Sequence, residues 1–306
     1  MSLETVRDVS PGAAGPHVGP AAERGARARG RRRLRLGSVA ANLTGLVVFA
    51  IMAFPVYWLL ISAFKPGRDL FARTPQFLPS NPTWDNFSRA MNRDHFWDSV
   101  VNSVLVGLGA VAASMLIGFL AAIAIARFRF YGRKTFVVAV ITSQMVPLTA
   151  LVIPLFLLLS RAGLQNKLPG ITLTYLALTL PLTIWLLRGF VAGIPAELEE
   201  AAMVDGCTRF GAFFRIILPL VAPGLVATSV FTFIQVWNEF LLANVLLTEP
   251  DRRTVSIWLY GFITNQGIDY AGLMAGSVLV ALPVVIFFLI LNRRIASGLV
   301  AGAVKG

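Results

Sequence analysis

The most distinctive polar stretch of this sequence is the segment 193–219, which separates two apolar runs. Pro195 suits the first turn of a helix, where its missing N–H would be unpaired anyway, and three acids follow where the helix dipole favours negative charge. These acids are Glu197, Glu199 and Glu200. Gly206 can end this helix in a left-handed conformation, and Thr208 can cap a second one. The spacing predicts a short helix, a sharp turn and a helix that re-enters the next apolar run.

The composition of this short helix suits docking against a partner protein. A helix of this length is marginal alone in water and needs a packing partner. Ala201 and Ala202 lie in its middle, where small side chains would let a partner's backbone approach closely. Leu198 and Met203 flank them and offer apolar contact. An amphipathic helix lying on a membrane surface would have the same composition, so the residues alone leave both interpretations open.

A second group of polar residues, at positions 235–239, interrupts the apolar run that follows. Gln235, Asn238 and Glu239 are spaced to share about one face of a helix, and Trp237 lies among them in the sequence. Amides, a carboxylate and an aromatic ring are groups that bind sugars, and Asn102 and Gln144 could add to them. Hydrogen bonding between helices explains each residue singly at least as well. The candidates for a substrate path are Gln235, Trp237, Asn238 and Glu239.

No pattern typical of an enzyme occurs in the sequence. There is no G-x-x-x-x-G-K-[ST] loop, because none of the four lysines follows a glycine, and there is no H-E-x-x-H motif or nucleophile elbow. His17 and His95 are far apart, and Cys207 is the single cysteine. We therefore expect a non-enzymatic chain with no metal, cofactor or disulfide of its own.

The polar segments are set in a sequence that is 56% hydrophobic and only 14% charged, whereas soluble domains carry about 25% charged residues. Roughly 20 apolar residues cross the ~30 Å hydrocarbon core of a bilayer. Six segments qualify, which predicts an all-α integral membrane protein with six transmembrane helices. The predicted spans are 39–64, 99–126, 135–160, 168–187, 216–247 and 271–291. The fifth is too long for one straight span.

Orientation follows from the lysines and arginines, which accumulate in cytoplasmic segments. With the N-terminus inside, the inner segments carry 18 basic residues and the outer ones carry 9. We therefore predict a multi-pass membrane protein with both termini in the cytoplasm. Residues 1–38 hold eight arginines and three acids. They are predicted to be a disordered basic tail that acts as a topology signal rather than a nucleic-acid-binding segment, and residues 39–306 to form the membrane domain.

Seven residues of the polar segment match a known signature in type and spacing. They are Glu200, Ala201, Ala202, Gly206, Ile216, Leu218 and Pro219, in the pattern E-A-A-xxx-G-(nine)-I-x-L-P. This pattern is similar to that of importer permeases of the ATP-binding-cassette superfamily. The resemblance implies a type I importer permease bundle whose short helix is a cytoplasmic coupling helix, seated in a groove of the ATPase subunit. By resemblance, that contact is carried by Glu200, Ala201, Ala202, Asp205 and Gly206.

Two further motifs narrow the resemblance to the carbohydrate-importing branch. Residues 237–240, Trp-Asn-Glu-Phe, resemble its W-N-[D/E] element. Residues 297–306 resemble the G-L-x-x-G-x-V-K-G ending of the second permease subunit of maltose-type importers, whose tail reaches into the ATPase dimer interface. The resemblance covers residues 39–306 and leaves the arginine-rich tail outside it.

The partners are implied by the same resemblance. This chain would pair with a second homologous permease, an ATPase dimer that binds ATP and magnesium, and an external solute-binding protein that delivers a sugar, in the first place an oligosaccharide. An importer of glycerol-phosphate or another polyol-like solute carries the same pattern. An ion-coupled secondary transporter is the more distant alternative, because such proteins usually show internal repeats and intramembrane charges that bind coupling ions.

Overall fold

The computed structural model describes residues 36–303 and the side chains of residues 41–291. The predictions for residues 1–35 of the tail and for the contacts of the C-terminal segment 297–306 lie outside the described residues. The first helix begins at Leu36, inside the segment predicted to be disordered.

The described chain is almost entirely helical, with one short antiparallel hairpin. The elements in chain order are α1 (Leu36–Ala63), α2 (Gly67–Leu70), α3 (Asp85–Met91), α4 (Phe96–Arg127), α5 (Arg133–Ser143), α6 (Leu148–Arg161), α7 (Leu168–Ala192), α8 (Glu197–Val204), α9 (Arg209–Ala212), a π-helical turn (Phe213–Ile217), α10 (Leu218–Asn238), α11 (Leu241–Leu246), a 3₁₀ turn (Pro250–Arg252), α12 (Val255–Tyr260), β1 (Ile263–Thr264), β2 (Gly267–Ile268) and α13 (Tyr270–Ala303).

Five continuous helical segments are long and apolar enough to cross a bilayer, one of them made of α9, the π-helical turn and α10, and a sixth candidate is a bent pair. The bent pair is α5 and α6, which meet at 98° where one continuous span, 135–160, was predicted. Pro147 stands directly before α6 with an extended ψ of 132°. An extended residue cannot continue the helix, and a proline also lacks the N–H of the helical ladder and disfavours the helical conformation at the residue before it, here Val146, which explains the break. The six predicted spans are thus present as five helices and one broken element.

The fifth span also differs from its predicted limits. It begins at Arg209, runs through the π-helical turn and ends at Asn238. The predicted range 216–247 is wrong at both ends, because the chain turns extended at Glu239 and then starts α11.

The described part of the chain separates into two compact units. One ends at Ala53 and contains the first part of α1, whose large apolar side chains, such as Phe49, are exposed, as a lipid-facing helix requires. The other, Phe54–Gly306, contains every site described below. In it α4 packs along α7, and α10 packs against both helices.

Close helix packing in the second unit depends on small residues. A Cβ placed on Gly118 of α4 would lie 2.5 Å from Cγ2 of Thr183 on α7, so only glycine fits there. At the far end of the bundle, α3, α12 and the start of α13 bury a cluster around Phe96, Trp258 and Phe262. Ile194 and Ile217 of the segment 193–219 belong to a separate cluster with α4 and α7, and Val236 and Trp237 of the second polar group belong to two further clusters.

Candidate functional site

The polar segment 193–219 folds as its capping residues predict. Gly206 follows α8 with a φ of +87°, the left-handed conformation that glycine adopts without strain. Oγ1 of Thr208 accepts a hydrogen bond from the N–H of Gly211 at 3.1 Å and so caps α9. Helix α8 begins at Glu197, so Pro195 precedes the helix instead of lying in its first turn.

The two alanines of α8 face opposite environments. Ala201 is exposed, whereas Ala202 is only 6% exposed and is buried within the chain. The expectation that both offer a close approach to a partner therefore holds for Ala201 alone. The outer surface of α8 continues through Val204, which is 87% exposed, Asp205 and Gly206. A partner would meet this line of residues first.

Arg127, the last residue of α4, fastens the segment to the bundle. Its Nη2 donates a hydrogen bond to the carbonyl oxygen of Ile194 at 3.0 Å. Its Nε lies 2.5 Å from Oε1 of Glu199 on α8, as an ion pair whose atoms are not aligned for a hydrogen bond. Both side chains are mostly buried, at 15% and 22% exposure. Arg127 therefore joins α8 to the end of a membrane-spanning helix, a role that its use as a topology signal did not predict.

A groove of about 550 Å³ runs between the end of α4 and the α8–α9 turn. Its walls combine apolar side chains of α4 and α9 with the Arg127–Glu199 pair. Phe210, on its rim, is 73% exposed. The segment thus presents a largely apolar, ordered surface, whereas its acids gather on the α8 side.

The polar group of the fifth span is divided between two cavities. Gln235 and Glu239 line a cavity of about 710 Å³, here called the Gln235 cavity, together with Gln144 and Tyr175. Asn238 and Trp237 line a different one of about 340 Å³. The single face that the spacing predicted is therefore split, because Asn238 turns away from the other two.

Trp237 is buried by side chains of α4, α10 and α13. It is 3% exposed, stacks on Phe233 with ring centroids 5.3 Å apart, and donates its indole N–H to the carbonyl oxygen of Val280 at 3.1 Å. In this conformation the ring packs between α10 and α13, so its faces are occupied by protein.

Glu239 has partners for both of its carboxylate oxygens. Oε1 accepts the backbone N–H of Leu242 at 2.9 Å, and Oε2 accepts that of Ala243 at 3.1 Å. Oε2 also accepts the hydroxyl of Tyr175 on α7 at 2.6 Å. The carboxylate therefore caps α11 and ties it to α7 across the break after α10.

Removing the Glu239 carboxylate should destabilise this break. We expect Glu239→Ala to lower the stability of the detergent-solubilised chain by about 2–4 kcal/mol, because a helix cap is lost and the Tyr175 hydroxyl loses its partner. Glu239→Gln keeps one acceptor and should lose less. Glu249→Ala, which removes an exposed acid nearby, is the control. Equal melting temperatures for Glu239→Ala and Glu249→Ala would show that the cap contributes nothing.

The two other amides of the spans are used within the chain. Asn102 on α4 donates from Nδ2 to the carbonyl oxygens of Asp251 and Arg253 at 2.8 and 3.1 Å. Gln144 donates from Nε2 to the carbonyl oxygen of Leu178 at 3.3 Å. Gln235 is exposed, and it has no hydrogen-bond partner among the described residues. Both the oxygen and the NH2 group of its amide are therefore available to a ligand, whereas the NH2 group of Asn238 donates to the carbonyl oxygen of Ile234 at 3.0 Å.

Among the described residues no group of three or more histidine, cysteine or acidic side chains is placed to hold a metal ion. The two regions instead consist of one ordered helical segment outside the predicted spans and one polar-lined cavity within the bundle.

Comparison with known proteins agrees with this geometry. Residues 114–300 match the family described as binding-protein-dependent transport system inner membrane component. The chain is 45% identical over 275 residues to the diacetylchitobiose uptake system permease protein DasC of Streptomyces coelicolor, covering 90% of this chain and 100% of that protein. It is 34% identical over 279 residues to the trehalose transport system permease protein SugB of Mycobacterium tuberculosis, covering 90% and 100%.

The fold has a counterpart among solved structures. A bacterial ABC transporter involved in import of the acidic polysaccharide alginate contains a chain that superposes with a TM-score of 0.69 at 22% identity, covering 87% of this chain and 98% of that one. The helical bundle is thus a type I permease fold. The chain belongs to the binding-protein-dependent permease family of ATP-binding-cassette importers, in its carbohydrate-importing branch.

Proposed function

We propose that this chain is one of two permease subunits of an importer that takes up an oligosaccharide, driven by ATP hydrolysis in a separate ATPase dimer. The observation that carries the proposal is the α8 segment, whose exposed side is ordered while its inner side is held to α4 by Arg127. A rigid connection of this kind can pass movement of an ATPase to the membrane helices. The contact is assigned to Glu200, Ala201, Asp205 and Gly206, with Ala202 supporting them from inside the chain.

The family description and the relatives support the remaining partners. A binding-protein-dependent permease requires an external solute-binding protein, and the two relatives above are named for a disaccharide derivative and a disaccharide. We therefore assign an oligosaccharide as the substrate, and we place both termini and α8 on the cytoplasmic side of the bacterial cell membrane. Gln235 is the residue proposed to face the passing sugar.

The alternatives have less support in the described residues. No lysine or arginine of the described chain lines the Gln235 cavity, and a glycerol-phosphate would need one. An ion-coupled transporter needs an intramembrane charge for its coupling ion. Glu239 carries such a charge, but its two oxygens already accept three hydrogen bonds within the chain.

Reconstitution tests the proposal directly. Proteoliposomes should contain this chain, the second permease and the ATPase, with the binding protein outside and labelled diacetylchitobiose or trehalose as substrate. We expect uptake that requires ATP on the ATPase side and stops when the binding protein is omitted. Uptake driven by a proton or sodium gradient without ATPase would contradict the proposal.

A further inference from the structure

Helix α5 exposes an apolar face that ends in a cation. None of its residues is buried, although it forms the first half of the bent pair that is long and apolar enough to cross a bilayer. Val138 and Ile141, four and seven residues after Lys134, are 62% and 46% exposed. Residues at this spacing share one side of a helix. We call Lys134, Val138 and Ile141 the α5 stripe, which extends about 10 Å along the helix.

The first turn of α5 is basic and follows an exposed aromatic residue. Arg133 and Lys134 begin the helix, and Tyr131, in the turn before it, is fully exposed. No acid occurs in residues 128–134. Neither cation forms an ion pair with an acid among the described residues, whereas Arg127, at the end of α4, is paired with Glu199. The two positive charges at the end of the stripe therefore suit an anionic partner.

The turn before α5 has a defined backbone. The N–H of Phe128 donates to the carbonyl oxygen of Ala124 at 3.1 Å, and that of Arg133 to the carbonyl oxygen of Phe130 at 3.4 Å. Gly132 precedes the helix with a φ of +84°, a conformation that glycine adopts without strain. The backbone that carries the two cations is thus ordered before any ligand arrives, which lowers the entropy cost of binding.

With both termini in the cytoplasm, this turn lies at the cytoplasmic surface of the membrane. Only residues 128–132 separate α5 from α4, a complete span, so the turn cannot reach far from the bilayer. Tyrosine rings are enriched at the headgroup level, and the cytoplasmic leaflet carries the anionic lipids. The apolar part of the α5 stripe then lies at the depth of the acyl chains.

We propose that the start of α5 binds an anionic phospholipid of the cytoplasmic leaflet. Arg133 and Lys134 receive its phosphate, and an acyl chain lies along the α5 stripe. A free phosphate compound would leave the apolar residues of the stripe uncovered, and a water-soluble protein would not reach their depth. A lipid is therefore the occupant that charge and position favour together. The inference rests on the predicted orientation and not on sugar transport or ATP hydrolysis.

A label at the deep end of the stripe tests the proposal. Ile141→Cys in a Cys207→Ser chain is labelled with bimane and placed in phosphatidylcholine nanodiscs that contain a fraction of brominated lipid. Brominated phosphatidylglycerol should quench the label more than brominated phosphatidylcholine does, with a relative affinity of about fivefold or more, the factor that one basic side chain contributes near an anionic surface. Equal quenching by the two lipids would overturn the proposal.

Salt provides a measurement that needs no variant of the cations. Raising sodium chloride from roughly 0.05 to 0.5 M should at least halve the preference for phosphatidylglycerol, because salt screens the attraction between the headgroup and the exposed cations. A preference that is unchanged by salt would show that the charges of the first turn do not select the lipid.

Two double variants, both carrying the same label, locate the preference. Arg133→Gln with Lys134→Gln should bring the relative affinity to within about twofold of one, since both charges near the phosphate are lost. The matched control, Arg161→Gln with Arg252→Gln, removes two exposed arginines from other segments. It should keep the preference of the unmodified chain. An equal loss in both double variants would show a general charge effect and overturn the site.

Two further conditions distinguish a lipid from other occupants. Sodium phosphate and sodium chloride at equal ionic strength should leave the same quenching, whereas a loss specific to phosphate would show that the site takes a free phosphate. The preference should also persist when the second permease and the ATPase are added. Its loss on assembly would assign this face of α5 to a partner protein instead of a lipid.

Discussion

Gly206→Val is expected to reduce ATP-driven uptake by tenfold or more without reducing the amount of chain in the membrane. Gly206 has a φ of +87°, and a Cβ placed on it would meet nothing within 4 Å. The substitution therefore creates no clash within this chain, where it acts through the backbone. A residue other than glycine pays roughly 1–3 kcal/mol in this conformation, and a β-branched one is a clear outlier. Since 1.4 kcal/mol is a factor of ten, the turn after α8 should open.

Gly206→Asn provides the matched control, because asparagine tolerates the left-handed region. It should retain most of the uptake. In the valine variant, substrate-stimulated ATP hydrolysis should fall together with uptake, while the external protein still binds its sugar. If both variants transport at the unmodified rate, the α8 turn is not the element that couples the ATPase to the bundle.

Arg127→Ala is expected to uncouple transport in a different way, by releasing α8 from α4. The variant loses the hydrogen bond to Ile194 and leaves Glu199 mostly buried without its cation. Removing one partner of such a pair costs about 2–3 kcal/mol. Uptake should fall by about tenfold or more, with the ATPase still bound but its hydrolysis no longer stimulated by substrate.

Two further variants distinguish the loss of the Arg127–Glu199 pair from a general loss of positive charge. Arg129→Ala removes an exposed arginine two residues away and should transport normally. In the double variant Arg127→Ala with Glu199→Gln, the buried charge is gone, and activity should recover in part, so the two substitutions are not additive. Additive losses, or an equal loss in Arg129→Ala, would show that Arg127 does not act through Glu199.

Local sequence signals predicted the local structure well. Gly206 and Thr208 are each explained by the backbone within four residues of them, so their spacing alone indicated the end of the helix, the turn and the second cap. The apolar lengths predicted the spans for the same reason, since one helix crosses the bilayer by itself.

Prolines show where local signals become ambiguous. Pro147 breaks the third span, whereas Pro55, Pro154 and Pro181 lie inside continuous helices. In a membrane bundle the neighbouring helices can satisfy the carbonyls that a proline leaves unpaired. Whether a given proline breaks its helix therefore depends on packing that the sequence does not display.

The residues that sequence reasoning missed act over long separations. Arg127 meets Glu199 across 72 positions, and Tyr175 meets Glu239 across 64. Glu239 stood out as an intramembrane acid, but its role as a cap became visible only with α11 in place. Asn102 was considered only as a possible sugar-binding amide, and its hydrogen bonds to the segment after α11 became visible only when that segment was seen packed against α4.

The central claim, that α8 docks on a cytoplasmic ATPase, can be tested by cross-linking from Val204. Cys207 is first replaced by serine, and a cysteine at position 204 is labelled with a photoreactive maleimide in the assembled importer. Val204 is 87% exposed on α8, so the probe should form an adduct with the ATPase subunit. A probe at Thr74, which is exposed in the loop between α2 and α3, should not form this adduct. ATPase adducts from Thr74 alone would show that the chain has the opposite orientation in the membrane. The absence of any ATPase adduct from position 204 would contradict the coupling role of α8.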